Sequence, residues 1–331
     1  MKRTTLLLTQ RDIERLIDLS VAIRVVREAW KAMARGEALM PPKLYLPLPR
    51  ASDFRAMPAY LARPPVCGVK WVNVHPQNRR RGLPTVMAII ILNDPATGFP
   101  LAVMDGLWIT KLRTAAATAV ATQALARRDS RVIGLVGCGA QAEAQIEALA
   151  AVLPLARVKA WGYLAHEAQR FCRRMRRLLP RVRFEPCTSI ERCVRDVEVL
   201  VTATSSRRAL VKRAWLSPGV HINAIGADAP GKQELEPRIL REATIVVDDR
   251  EQSIHAGELN MPLRRGQLAP RHIHATLGEV LIGRKVGRRR RDELTVFDST
   301  GLAIHDVALG DEIVRRASRR GLGRRIAFFT P

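Results

Sequence analysis

Val132-Ile-Gly-Leu-Val-Gly137-Cys-Gly139-Ala140-Gln141-Ala142 places a glycine pair between a short apolar run and a helix-forming run. Gly137 permits a tight turn, and Gly139 leaves the backbone bare where a pyrophosphate would lie. The first N–H groups of the following helix then hold the phosphates. Ala142 stands where G-x-G-x-x-G/A needs a small residue for helix–strand packing, and the strand–turn–helix context is the one that gives the motif its meaning. Lys70 is the second chemical signal, because it lies inside the apolar stretch Val69-Lys70-Trp71-Val72. Burial and nearby cations lower a lysine's pKa, which suits it to proton exchange with an amine, imine or carbonyl near neutral pH. Asp228 is the third. It follows an apolar strand, His221-Ile-Asn-Ala-Ile-Gly-Ala227, at the carboxyl edge where open α/β sheets bind their substrates.

The elements that must position these groups fall into two patterns. A helix is expected from an N-cap at Ser20 to about Gly36, then strands over 44–48, 54–60, 69–72, 85–92 and 100–104. Asp94-Pro-Ala-Thr-Gly98 is the turn of a hairpin. This portion reads as α+β with a largely antiparallel sheet. A long Ala/Thr-rich helix over 107–127 leads into the glycine loop, after which strands over 132–136, 158–163, 197–202, 221–225, 244–248 and 294–298 alternate with helices. Thr188-x-x-Glu191 is read as a capping box. Alternation of this kind implies a doubly wound, mainly parallel sheet, so the fold class is α/β. The expected domains are an α+β domain over 1–114, joined by a basic helical tail over 301–331, and a Rossmann domain over 115–300.

Bulk properties narrow the partners. The 331 residues are 47% hydrophobic and 26% charged, with no apolar run long enough to span a bilayer, and the expected location is the cytoplasm. The start, Met1-Lys-Arg-Thr-Thr-Leu-Leu-Leu-Thr-Gln-Arg-Asp-Ile-Glu-Arg-Leu16, has an apolar stretch too short for a signal peptide and passes straight into a charged helical pattern. Five cysteines (67, 138, 172, 187 and 193) lack metal-ligand spacing, so no metal is expected. The net charge of +24 raises nucleic-acid binding, but the arginines form separate short clusters without interleaved aromatics. Solvated surface charge is the reading adopted, with neither nucleic acid nor membrane as a partner.

Further motifs carry a resemblance. Met40-Pro-Pro-Lys43, Arg55-Ala-Met-Pro58, Val69-Lys70-Trp-Val-Asn-Val-His-Pro76, Leu83-Pro-Thr85-Val-Met-Ala88, Lys111-Leu-Arg113-Thr-Ala-Ala116, Asn223-Ala-Ile-Gly-Ala-Asp228-Ala-Pro-Gly-Lys232, Gly257-Glu258 and Phe297-Asp-Ser-Thr-Gly301 occur in this order. Together they resemble the ornithine cyclodeaminase/mu-crystallin family over essentially the whole chain, with its archaeal-type alanine dehydrogenase branch the nearest in pattern. The resemblance implies a homodimer paired through its N-terminal sheets, with each active site between a substrate domain and a Rossmann domain. It places Lys43, Arg55, Lys70 and Arg113 around a substrate carboxylate, gives Asp228 a role in proton transfer, and makes Thr85 a positioning residue. A carboxylate leaving water must be paired with cations, and the planar fork of Arg113 suits bidentate pairing. Cofactor contacts are expected from Gly137, Gly139, Ala140, Gln141, Thr114, Gly162, Thr202, Ala203, Thr204, Ile225, Gly226 and Ser299. His75 and His305 are read as satisfied structural histidines.

The implied activity is NAD(P)-dependent oxidative deamination of a small L-amino acid, L-alanine above others, and the reverse reductive amination. Oxidation of the α-carbon gives an iminium, water activated by Asp228 or Lys70 adds to it, and ammonia leaves. Ornithine cyclodeamination, reduction of cyclic imines such as pyrroline- or piperideine-2-carboxylate, and non-catalytic binding as in mu-crystallin are the alternatives. Two departures bear on this. Arg55 precedes the Met-Pro motif with no acid beside it, so ornithine's second ammonium is expected to be repelled. Gly162 stands where NAD-preferring sites carry an acid, so NADP is permitted, with His166 or Arg170 to meet its phosphate, and both NAD and NADP stay open.

Overall fold

The computed structural model describes residues 4–49 and 52–329. The chain forms two compact units, one from Met1–Arg113 with Leu302–Pro331 and the other from Thr114–Gly301. Among the described residues no helix is long and apolar enough to cross a membrane.

The first unit is built on one sheet. Its strands are β1 (Thr5–Leu8), β2 (Ala38–Leu39), β3 (Leu44–Leu48), β4 (Ser52–Ala62), β5 (Pro65–Val74), β6 (Val86–Asn93) and β7 (Pro100–Asp105), with a last strand at Arg324–Ile326. The order is Arg324–Ile326, β1, β7, β6, β5, β4, β2, with β3 also on β4. Among the described residues of this sheet, only the β1–β7 pairing is parallel. Period-two alternation sorts the side chains. Arg55, Met57, Lys70, Val72, Ala88 and Ile90 are buried, whereas Leu44, Leu46, Trp71 and Ile89 are exposed. The register pairs Leu44 with Ala56, Ala56 with Trp71 and Trp71 with Ile89, so the exposed residues share one face.

Two helices fill the buried side of this unit. In the first, at Leu19–Ala34, Val21, Ala22, Val25, Val26, Ala29 and Trp30 form a buried stripe. It is capped by Asp18, whose carboxylate accepts from the Val21 N–H; Ser20, the expected cap, instead bonds to Asp18. The second is the C-terminal helix Ala303–Arg320. It lies close on the sheet because Gly68 has no side chain, since a Cβ there would stand 2.6 Å from the Ile91 carbonyl and 3.3 Å from Val307. At the start of the chain the short apolar stretch Thr5–Leu8 pairs with β7 as a strand before the charged helix Gln10–Glu14 begins.

The second unit has an eight-stranded sheet that is parallel throughout. Its strands are β8 (Val132–Val136), β9 (Arg157–Trp161), β10 (Arg183–Pro186), β11 (Val199–Thr202), β13 (His221–Ala224), β15 (Thr244–Val247), β16 (Ile273–Thr276) and β17 (Thr295–Asp298). Strands β12 (Arg207–Val211) and β14 (Gln233–Leu235) form a separate pair. The order β10-β9-β8-β11-β13-β17-β15-β16 reverses between β8 and β11, which is the switch point where doubly wound sheets take ligands. An apolar core including Val136, Leu200, Ile222, Ala224, Val247 and Val296 fixes the layers. The sequence missed β10, β16 and the β12–β14 pair, all of three to five residues and too short for a periodic signal. The expected Thr188 capping box is instead a Ser189 cap, with its hydroxyl accepting from the Arg192 N–H.

Candidate active site

In the first unit the β-strands and the C-terminal helix bring charge into a dry place. Lys70, on the buried face of β5, is 1% exposed, and its Nζ lies 2.6 Å from Oδ2 of Asp306, itself fully buried on the helix. Arg113 Nε lies 3.5 Å from the other Asp306 oxygen. Lys70 and Arg113 therefore share one carboxylate, which leaves the cluster short of negative charge. Burial first, then the Arg113 charge, lowers the Lys70 pKa to about 7, against the opposing pull of Asp306; Lys43 adds to the lowering. A cluster with this excess of positive charge attracts an anion such as a carboxylate.

Arg55 is buried on β4 and already has a carboxylate partner. It forms a two-pronged pair with Asp53, at 2.7 and 3.1 Å, and lies 5.2 Å from the Tyr45 ring centroid. The expectation that no acid stands beside Arg55 is thus corrected. Asp53 is two residues away on a strand, which puts both side chains on the same face. The Asp53 carboxylate offsets the Arg55 charge, which weakens the repulsion of a second ammonium expected from Arg55 alone. Thr85 immediately precedes β6, and its carbonyl accepts from the His75 N–H at 2.7 Å.

The histidines divide. His75 is satisfied through Asn73 at 2.9 Å, as expected. His305 is fully buried, but neither ring nitrogen has a hydrogen-bond partner; its ring meets Trp30 edge-on at 4.3 Å. Burial, then Arg113 and Lys70, holds its pKa well below the ordinary histidine range, so it is a neutral packing residue rather than a satisfied one.

In the second unit, the parallel register sets the carboxyl ends of four strands side by side. Val136 pairs with Thr202, Thr202 with Ala224, and Ala224 with Asp298. Residues 137, 203, 225 and 299 therefore leave the sheet along one edge. Gly137 is required there twice over: its φ is +113°, and a Cβ would stand 2.6 Å from the Ala203 carbonyl oxygen. Around Gly139 a Cβ would meet nothing within 4 Å, so the loop faces open space where a phosphate must approach. Ala142 is buried at the start of the helix Ala142–Ala150, and Gln141 Oε1 is buried without a hydrogen-bond partner. These residues fit a dinucleotide. Thr114 is buried on the helix Leu107–Leu125, and Ser299 donates to Asp248 at 3.4 Å.

The same edge is held from behind by buried carboxylates that sequence reasoning did not assign. Asp298 accepts from the Glu258 N–H at 2.9 Å, Glu258 from the N–H groups of Glu234 and Leu235, and Glu234 from those of Thr204 (2.7 Å) and Gly226 (3.0 Å). Burial raises the Glu234 pKa to about 6 against these donors, and pushes Glu258 and Asp298 well above the carboxylate range. The Gly226 position admits no side chain, because Thr204 and Glu234 occupy the space. Asp228, two residues on, is part-exposed and ion-paired with Lys232 four residues later. Lys232 is a partner the sequence contained but did not assign to it.

Comparison with known proteins follows the same lines. The pattern of the ornithine cyclodeaminase/mu-crystallin family matches residues 3–321. An alanine dehydrogenase of Archaeoglobus fulgidus is 48% identical over 325 residues, covering 98% of this chain and 99% of that protein. Among solved structures, an archaeal alanine dehydrogenase dimer with bound NAD has 47% identity and a TM-score of 0.95, covering 99% of this chain and 100% of that one. The Thermococcus litoralis Δ1-pyrroline-2-carboxylate reductase, in complex with NADH and L-proline, has 34% identity and a TM-score of 0.94, covering 97% and 100%.

Proposed function

The chain belongs to the ornithine cyclodeaminase/mu-crystallin family, and from that premise we propose that it interconverts a small L-amino acid, L-alanine foremost, with its 2-oxo acid and ammonia. The observation that carries the reading is the buried pair of cations, Lys70 and Arg113, sharing the single carboxylate of Asp306. Arg113 and Lys43 hold the substrate carboxylate, and Lys70 exchanges a proton with the amine or with the water that adds to the α-carbon. The second unit's edge, Gly137 to Gln141 with Thr114, Gly162, Thr202, Ala203, Thr204, Ile225, Gly226 and Ser299, holds a nicotinamide dinucleotide. That group, when bound, supplies the hydride acceptor in one direction and the donor in the other. Asp228, oriented by Lys232, is assigned the second proton transfer, and Thr85 a minor part in positioning substrate. Working units are homodimers in the cytoplasm, joined through the exposed apolar face that carries Leu44, Leu46, Trp71 and Ile89.

A substrate panel tests the reading. With pyruvate and either reduced nicotinamide, turnover is expected to require ammonia. Turnover of pyrroline- or piperideine-2-carboxylate that exceeds it would favour the second reading, cyclic imine reduction, which uses the same carboxylate clamp and is suggested by the reductase similarity. Proline formed from ornithine with no net change in reduced nicotinamide would point to cyclodeamination instead.

A further inference from the structure

Gly162 directly follows β9 and lacks the acid that usually binds the adenosine ribose, yet the place of that side chain is not empty of charge. A Cβ built on Gly162 would stand 2.9 Å from the Glu167 Cβ and 3.2 Å from its Oε2. The first turn of the helix Ala165–Leu178 packs directly on the strand end, which excludes any side chain at Gly162 and puts the Glu167 carboxylate where one would begin. We propose that Glu167 is the specificity-determining residue of the cofactor site, binding the adenosine ribose hydroxyls from the helix rather than from the strand and making the enzyme NAD-selective. This rests on the dinucleotide reading of the glycine loop given above.

Glu167 lies beside the strand end that is joined to that loop. The carbonyl of Trp161, the last residue of β9, accepts from the Gly137 N–H at 2.9 Å and from the Cys138 thiol at 3.5 Å. The strand end and glycine loop are thus one junction. Glu167 Oε2 accepts from the Leu164 N–H at 3.2 Å, which fixes the carboxylate over the junction. Its negative charge also acts on the Cys138 thiol, adding to the burial that pushes that group up to about 12. A fixed carboxylate at this place accepts hydrogen bonds from a ribose diol and repels a 2′-phosphate. His166 and Arg170 on the same helix are exposed, and Arg174, one turn further, is paired with Glu143.

The test is the dissociation constants of NADH and NADPH, read from nicotinamide fluorescence in the absence of substrate. The native protein is expected to bind NADH at least about tenfold more tightly than NADPH. Glu167→Gln keeps an oxygen for the Leu164 N–H but lacks the charge. It should weaken NADH about 10- to 100-fold, the loss expected for hydrogen bonds to an ionised acceptor, and leave NADPH unchanged or tighter. Glu167→Asp retains charge with shorter reach, so NADH should weaken while discrimination against NADPH persists. Native preference for NADPH, or an unchanged affinity ratio in Glu167→Gln, would overturn the assignment. A native protein that binds neither dinucleotide would instead overturn the cofactor reading, and this inference with it.

Discussion

Lys70 is useful because its charge is expensive where it stands. At 1% exposure, and with a pKa of about 7, it is protonated below neutrality and a free amine above it. Amino acid oxidation needs the amine, so kcat/KM for L-alanine is expected to rise as pH passes through about 7; reductive amination, which needs the ammonium, should fall over the same interval. A pH–rate profile in both directions checks the sign, and Lys70→Ala should abolish both while leaving NADH affinity within about twofold, as its effect lies on the substrate side. Asp306 holds the Lys70 pKa up, so Asp306→Asn should shift the inflection to lower pH. It should also destabilise the fold by about 3 kcal/mol or more, because it leaves buried cations uncompensated. The penalty is larger below pH 7, where Lys70 and Arg113 are both charged, than above it, where Lys70 is neutral. Denaturant unfolding at pH 6 and pH 9 measures the difference.

Elements matter here through their ends. The edge formed by Gly137, Ala203, Ile225 and Ser299 depends on parallel register, and its loops are anchored by Glu234. Glu234→Ala would strand the N–H groups of Thr204 and Gly226, at a cost of about 1–3 kcal/mol each where no water replaces the carboxylate. NADH affinity should fall at least tenfold by fluorescence titration, with L-alanine KM at saturating cofactor little changed; Glu234→Gln, which retains one acceptor oxygen, should recover part of it. Gly137→Ala should be worse, because its φ of +113° and the Ala203 carbonyl both oppose a Cβ. The glycine loop was legible in the sequence because strand, turn and helix are contiguous. The carboxylates behind it were not, since Glu234, Glu258 and Asp298 become neighbours only through chain reversal. Asp18 and Ser189 show the same limit on a smaller scale: adjacent residues of capping type compete, and the backbone direction decides between them.

At the scale of the molecule, the sheet of the first unit is two-faced. One face is buried with Lys70 and Arg55; the other exposes Trp71 at 41% and Ile89 at 51%, paired across β5 and β6. Clustered apolar exposure of this kind marks a contact surface. A Trp71→Lys, Ile89→Lys double variant is expected to sediment as a monomer, with an unchanged monomeric fold by circular dichroism, and the native chain is expected to sediment as a dimer. The arginines behind the net charge of +24 are spread over helices and loops, and some of them are offset by carboxylates in ion pairs such as Arg195–Glu191, Arg238–Glu242 and Arg315–Asp311. Such exposed pairs contribute little stability individually but keep the surface solvated.

The amino-acid order by itself determined the alternation that makes a parallel sheet, the glycine turn at its first strand, and the oddity of a lysine in an apolar strand. These are local properties, set by spacing along a few residues. Tertiary structure alone decided which charges meet: Asp306 with Lys70 across 236 positions, Asp53 with Arg55 through strand pleat, Glu167 over Gly162 through helix packing. The reason is physical. Buried electrostatics depends on distance and on water exclusion, and both are fixed only when separate segments close around the same space.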